Sequence, residues 1–152
     1  MNQVKQALKT WIEDQARAYD VLDGVQVVLN GETDDVVLPL IAIIDQGSTM
    51  VEQNGVRLFG VMEVSLTAEL HTVPEESASH GTTYATSQEM SQALYEILAN
   101  RKSIDYMNAS NNLQVFDNLT SSGIISVRDE RRIDTFDLTI TASLSNQQPL
   151  PR

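Results

Sequence analysis

Residues 56–73 read VRLFGVMEVSLTAELHTV and alternate almost without interruption. Val56, Leu58, Gly60, Met62, Val64, Leu66, Ala68 and Leu70 fall on one side, and Arg57, Phe59, Val61, Glu63, Ser65, Thr67, Glu69 and His71 on the other. A period of two sends successive side chains to opposite faces of a pleat, so this stretch predicts one long strand with a dry face and a mixed face. At about 3.3 Å per residue such a strand outruns the ~17–20 Å of an ordinary one. A strand of that length predicts a sheet that extends past a compact core, as in subunits that assemble.

Outward from this strand, the neighbours are legible in turn. Upstream, Val36 to Ile44 is apolar on both faces and predicts a buried strand, with an irregularity at Pro39, which has no N–H to give a ladder. Asn30-Gly31 predicts a turn after a short strand over Val25 to Leu29. Asp45 to Gly55 is polar and predicts a connection too long for a tight hairpin. Val4, Ala7, Leu8, Trp11, Ile12, Ala16 and Tyr19 recur at three and four and predict an N-terminal helix that Asp23-Gly24 breaks. Trp11 is expected to be a packing anchor.

Downstream, residues 72–86 lack any period and predict a loop of interaction type. A second helix follows, with Thr86 and Glu89 spaced as a capping box, Met90, Ala93, Leu94, Ile97 and Leu98 on its buried stripe, and Arg101 and Lys102 at its end. Leu113 to Phe116, Gly123 to Val127 and Ile133 to Leu144 predict three more strands. In the last, Phe136, Leu138, Ile140, Ala142 and Leu144 oppose a polar face. Strands in adjacent runs, not alternating with helices, predict an α+β fold. One domain is expected over residues 1–144, a mainly antiparallel twisted sheet packed by an N-terminal and one central helix, with a mobile tail at 145–152.

Composition narrows the function classes. The chain has 152 residues, no cysteine, and 21 acidic against 10 basic residues, for a net charge of −11 and a pI near 4.4. The lack of thiols removes disulfides, thiolate metal sites and thiol nucleophiles. No stretch has the form of a secretory signal or the ~20 apolar residues of a membrane helix, so a soluble protein made inside the cell is expected. Nucleic-acid affinity comes largely from Lys and Arg, so so acidic a surface disfavours it. Between Asp20 and Glu76 the only basic residue, Arg57, sits among eleven carboxylates, whereas Arg128, Arg131 and Arg132 cluster. The simple reading is a solvated acidic surface with one charged turn. The sharper one is two complementary patches that meet on neighbouring copies, the arginines forming a guanidinium fork for carboxylates.

Catalytic groups are sparse. Glu69, His71 and His80 are the only candidate metal set, and their spacing matches no zinc pattern. No glycine loop cradles phosphate, no nucleophile turn is present, and no carboxylate pair has apolar surroundings. No enzyme activity, cofactor or metal is expected.

The chain resembles the tail terminator family of long-tailed bacteriophages. The likeness lies in the N-terminal helix with its Tyr19–Gly24 end, VVLPLIAII at 36–44, FGVMEVSLTAELHTV at 59–73, the helix QEMSQALYEILANR at 88–101, and GIISVRDERRIDTFDLTITAS at 123–143. It implies a virion protein, a homo-oligomeric ring, usually a hexamer, that caps the tail tube and docks to the head–tail connector or neck protein while DNA passes without specific binding. Under that reading Arg128, Arg131 and Arg132 are candidates for the inter-subunit contact, and Asp34, Asp35, Glu52, Glu75 and Glu76 for a lumen or tube-facing acidic surface. Another neck or tail-completion protein is the alternative within the virion. A small metal-dependent enzyme or ligand-binding domain is the alternative of another class.

Overall fold

A computed structural model describes residues 2–29, 38–53, 56–73, 84–109, 113–128 and 130–144. Helix α1 (Asn2–Ala16) leads through a 3-10 turn (Asp20–Leu22) into β1 (Gln26–Leu29), β2 (Leu40–Gln53) and β3 (Val56–Thr72). Helices α2 (Tyr84–Ala99) and α3 (Lys102–Asn108) follow, then β4 (Leu113–Thr120), β5 (Ile124–Arg128) and β6 (Arg131–Leu144). The six strands make one sheet in the order β1-β2-β3-β6-β4, with β5 also paired to β6. Only β1 and β2 run parallel, so the fold is α+β with a mainly antiparallel sheet.

All three helices cover one face. Val4, Leu8, Trp11 and Ile12 from α1 and Leu94, Ile97 and Leu98 from α2 pack on Ile41, Ile43, Val64, Leu66, Leu70, Phe136, Leu138 and Ile140. The alternation in the long strand therefore divides as expected, with Val64, Leu66, Ala68 and Leu70 in the core. The other face is drier than expected, since Thr67, Glu69 and His71 are also buried.

The end of α2 shows how the layers are fastened. The last carbonyls of a helix have no partner within it. Trp11 Nε1 donates to Ile97 O at 2.9 Å, and Leu98 O accepts from Asn118 Nδ2 and Thr120 Oγ1, each at 3.2 Å. Side chains from α1 and β4 thus cap the same helix end. Asn118 also donates to Ser103 Oγ on α3 at 3.1 Å, and Asn108 bonds the main chain of Val115. At the other end of α1, Lys5 approaches Asp45 of β2 at 3.7 Å.

Four expectations need correction. The polar stretch 45–53 is not a loop but the outer half of β2, and only 54–55 separate it from β3. A register shift between Asp45 and Gly47 puts an extra residue on β2 and breaks the alternation that would have revealed a strand, and a second irregularity, between Met50 and Glu52, lies opposite 58–61 of β3. Gly47 takes φ 108°, a conformation suited to a residue without Cβ. Pro39 lies just ahead of β2, outside its ladder, and follows a cis bond from Leu38. Helix α2 begins at Tyr84, so Thr86 lies inside the first turn instead of capping it, and residues 102–108 form α3 where no element was expected. The turn at 30–31, the loop at 74–83 and the tail at 145–152 lie outside the described residues.

Candidate functional site

Three surfaces stand out on the side of the sheet away from the helices and at its margins. The first is a cluster of charged side chains. Because β3 and β6 pair with His71 opposite Ile133 and Glu69 opposite Thr135, the hairpin of β5 and β6 brings its arginines over the β3 carboxylate. Glu69 Oε1 lies 3.0 Å from His71 Nε2, Arg131 Nη1 lies 3.2 Å from His71 Nδ1, and Arg128 Nη2 donates to Glu69 Oε2 at 3.3 Å. A guanidinium only donates, so Nδ1 must accept from Arg131 and Nε2–H must donate to Glu69. Both ring nitrogens of His71 are thereby engaged by neighbouring side chains. The His71 hydrogen bond holds the Glu69 carboxyl below the usual carboxylate range. Burial opposes that shift, and attraction to the imidazole and to Arg128 adds to it.

The three arginines do not form one fork. Arg128 and Arg131 share the open face, but Arg132 points to the helix side, where Nε and Nη2 hold Asp134 at 2.8 and 2.9 Å. Arg132 and Asp134 are 2% and 1% exposed, so this pair is a piece of the interior. Among the described residues no group of three or more histidine or acidic side chains is placed to hold a metal ion. Glu69 and His71 do meet, as their spacing on one strand face suggests, whereas His80 lies outside the described residues.

The second surface is the arm formed by the outer halves of β2 and β3. Strand β6 stops pairing with β3 at Met62; beyond it β3 keeps only β2 as a neighbour, through Arg57 opposite Glu52 and Val56 opposite Gln53, past an irregularity at 58–61. At about 3.3 Å per residue, the part of β3 beyond Met62 reaches roughly 20 Å past the last β6 contact. Residues 46–50 are exposed on both faces of β2, Met50 among them. Glu52 takes a place in this arm, in register with Arg57. Its side chain, and all of Asp34, Asp35, Glu75 and Glu76, lie outside the described residues.

The third is β5, whose five residues are all exposed. Phe116 and Leu119 on β4 extend this apolar margin. A cleft of about 410 Å³ also lies between the 3-10 turn and α2, with Asp20, Glu89 and Glu96 on its walls and no basic residue. Tyr19 in that cleft has its phenol pushed up by burial and by Glu96. A cleft of this composition offers no paired nucleophile and base.

The length of 56–73 predicted a sheet reaching past the core, but the sequence did not reveal that 45–53 supplies the second strand of the arm, nor the partners of Arg128 and Arg131, nor the burial of Arg132. The bulges masked the first, and strand register alone decides the others. None of the helices among the described residues is long and apolar enough to cross a membrane. The chain matches no protein-family model and no curated protein.

Proposed function

We propose that this protein is a structural subunit of a phage virion, a tail terminator whose copies form a ring that caps the tail tube and joins it to the head connector. The observation that carries this reading is the β2–β3 arm. A two-stranded ribbon is marginal in water by itself, because it lacks a third strand or a helix to bury its face. A chain that extends 14- and 17-residue strands past its own core therefore has a use for a surface outside itself.

Charge supports the same reading. A net charge of −11 disfavours adhesion to phosphate, which suits a passage for DNA. Arg128 and Arg131 stand on the open face within an otherwise acidic chain, and opposite signs on one subunit favour head-to-tail contact between copies. Both nitrogens of His71 are occupied by protein groups, which speaks against the metal-dependent alternative. In this reading the protein acts by shape and charge, and its partners are its own copies, the tail tube protein and the connector.

The test is native mass spectrometry of the purified protein, alone and after mixing with tail tubes, with tube binding followed by sedimentation. Closed oligomers, or stoichiometric capture at tube ends, are expected. A monomer at all concentrations that leaves tubes untouched contradicts the proposal.

A further inference from the structure

Edge strands in natural proteins are blunted by lysine, proline, bulges, brevity or a covering element, because an open row of N–H and C=O groups recruits other strands. Strand β5 is short and ends in the charged Arg128, but among the described residues it has no lysine, proline, bulge or covering element. Its sequence is Ile-Ile-Ser-Val-Arg, it pairs with β6 in unbroken register, and Ile124, Ile125 and Val127 are 68%, 51% and 58% exposed. Successive side chains alternate between faces, so β5 is apolar both toward the open face and toward the helix side. In an antiparallel pair every second residue turns its N–H and C=O away from the partner. The outer side of β5 therefore offers main-chain bonds flanked by apolar side chains, the recognition chemistry of strand addition.

The molecule carries a second open edge at the opposite end of the sheet. Strand β1 pairs with β2 only from Leu40 to Ile43, and beyond Ile43 no described residue pairs with the outer side of β2. The two edges differ in charge. Strand β2 from Leu40 to Gln53 contains Asp45 and Glu52 and no Lys or Arg, whereas β5 contains Arg128 and no carboxylate.

We propose that the outer edge of β5 receives the outer half of β2 from a second copy of this chain, so that the sheet continues from one subunit into the next. The pairing rests on the ring reading above and names its joint. Two different edges on one copy make a heterologous contact, which closes into a ring when the rotation per subunit divides a full turn. Arg128, which also holds Glu69 of its own chain, then lies beside a neighbouring strand that carries Asp45 and Glu52 and no basic residue, a better match in charge than another β5 with its own Arg128.

The absence of cysteine makes this directly testable. Val127→Cys is placed in one preparation, and Ser48→Cys or Thr49→Cys, on opposite faces of the exposed part of β2, in another. All three positions are exposed, so folding is expected to persist. After mixing and mild oxidation, a disulfide-linked dimer is expected from the mixture, with its loss when any one variant is oxidised alone. A dimer from Val127→Cys alone overturns the proposal in favour of β5 against β5. Rings in native mass spectra without a mixed disulfide also overturn it, yet leave the ring reading standing. Monomers without any disulfide remove both.

Discussion

Arg132 and Asp134, two residues apart on one face of β6, hold each other through two parallel hydrogen bonds in the interior. Removing one member of a buried pair strands the other charge, at a cost of about 3–5 kcal/mol. Arg101 and Asp117 are as close, at 2.8 Å, but half exposed, and such pairs contribute about 0–1 kcal/mol. Asp134→Ala is therefore expected to lower the urea midpoint severely and Arg101→Ala hardly at all. Equal effects would show that burial does not govern these pairs. Asp134→Leu combined with Arg132→Met should recover much of the loss, since an apolar pair of similar volume removes the desolvation cost.

Trp11 joins α1 to the end of α2 through its Nε1–H and lies 5.1 Å, centroid to centroid, from the Tyr106 ring. Trp11→Phe keeps an aromatic ring in the core and deletes the donor to Ile97 O. Leaving a buried acceptor without its donor costs about 1–3 kcal/mol. Equilibrium unfolding is expected to show a loss of that size. An unchanged midpoint would mean that water or another donor replaces the indole.

Glu69 gives a pH dependence with a definite sign. Its carboxyl titrates lower when folded than when unfolded, so its contribution is present above the ordinary glutamate value of about 4.3 and is lost as pH falls through the depressed one. Denaturant unfolding measured downward from that pH should show a steeper loss for the wild type than for Glu69→Gln. Parallel curves would remove the His71 and Arg128 contacts as the cause.

Gly123 backs onto Phe136. A Cβ built at Gly123 would come within 2.7 Å of Phe136 Cε1 and 3.0 Å of Cζ, and the ring is itself stacked on Tyr95 at 6.1 Å. An aromatic wedged in the core cannot swing aside as a flexible chain end does. Gly123→Ala is expected to cost about 1–3 kcal/mol as an overpacking effect, measured as a lower thermal midpoint. A neutral result would show that β5 shifts outward freely.

Periodicity made the long strand, both main helices and β6 legible, because each repeats its pattern over three or more turns or pleats. It failed where the pattern is short or interrupted. Strand β2 changes phase between Asp45 and Gly47, so DQGSTMVEQ looks like a polar loop. Helix α3 has seven residues, of which Ser103 and Met107 are buried, too few to declare a stripe. The arginines were visible as a group, but their fates were not. Arg131 and Arg132 are neighbours on a strand, so they necessarily face opposite sides, and only the sheet register shows which side is core. Glu69 and His71 share a strand face at a spacing of two, and that much of the open-face cluster was readable directly.

In the function we propose, this chain is one of several identical subunits at the junction of a phage tail tube and its head connector. A cryo-electron microscopy reconstruction of the virion neck tests it most directly. A closed ring of this chain is expected, its β2–β3 arms engaged with adjacent copies, seated where the tube ends. Density for the chain as an isolated monomer, or its absence from the junction altogether, would contradict it.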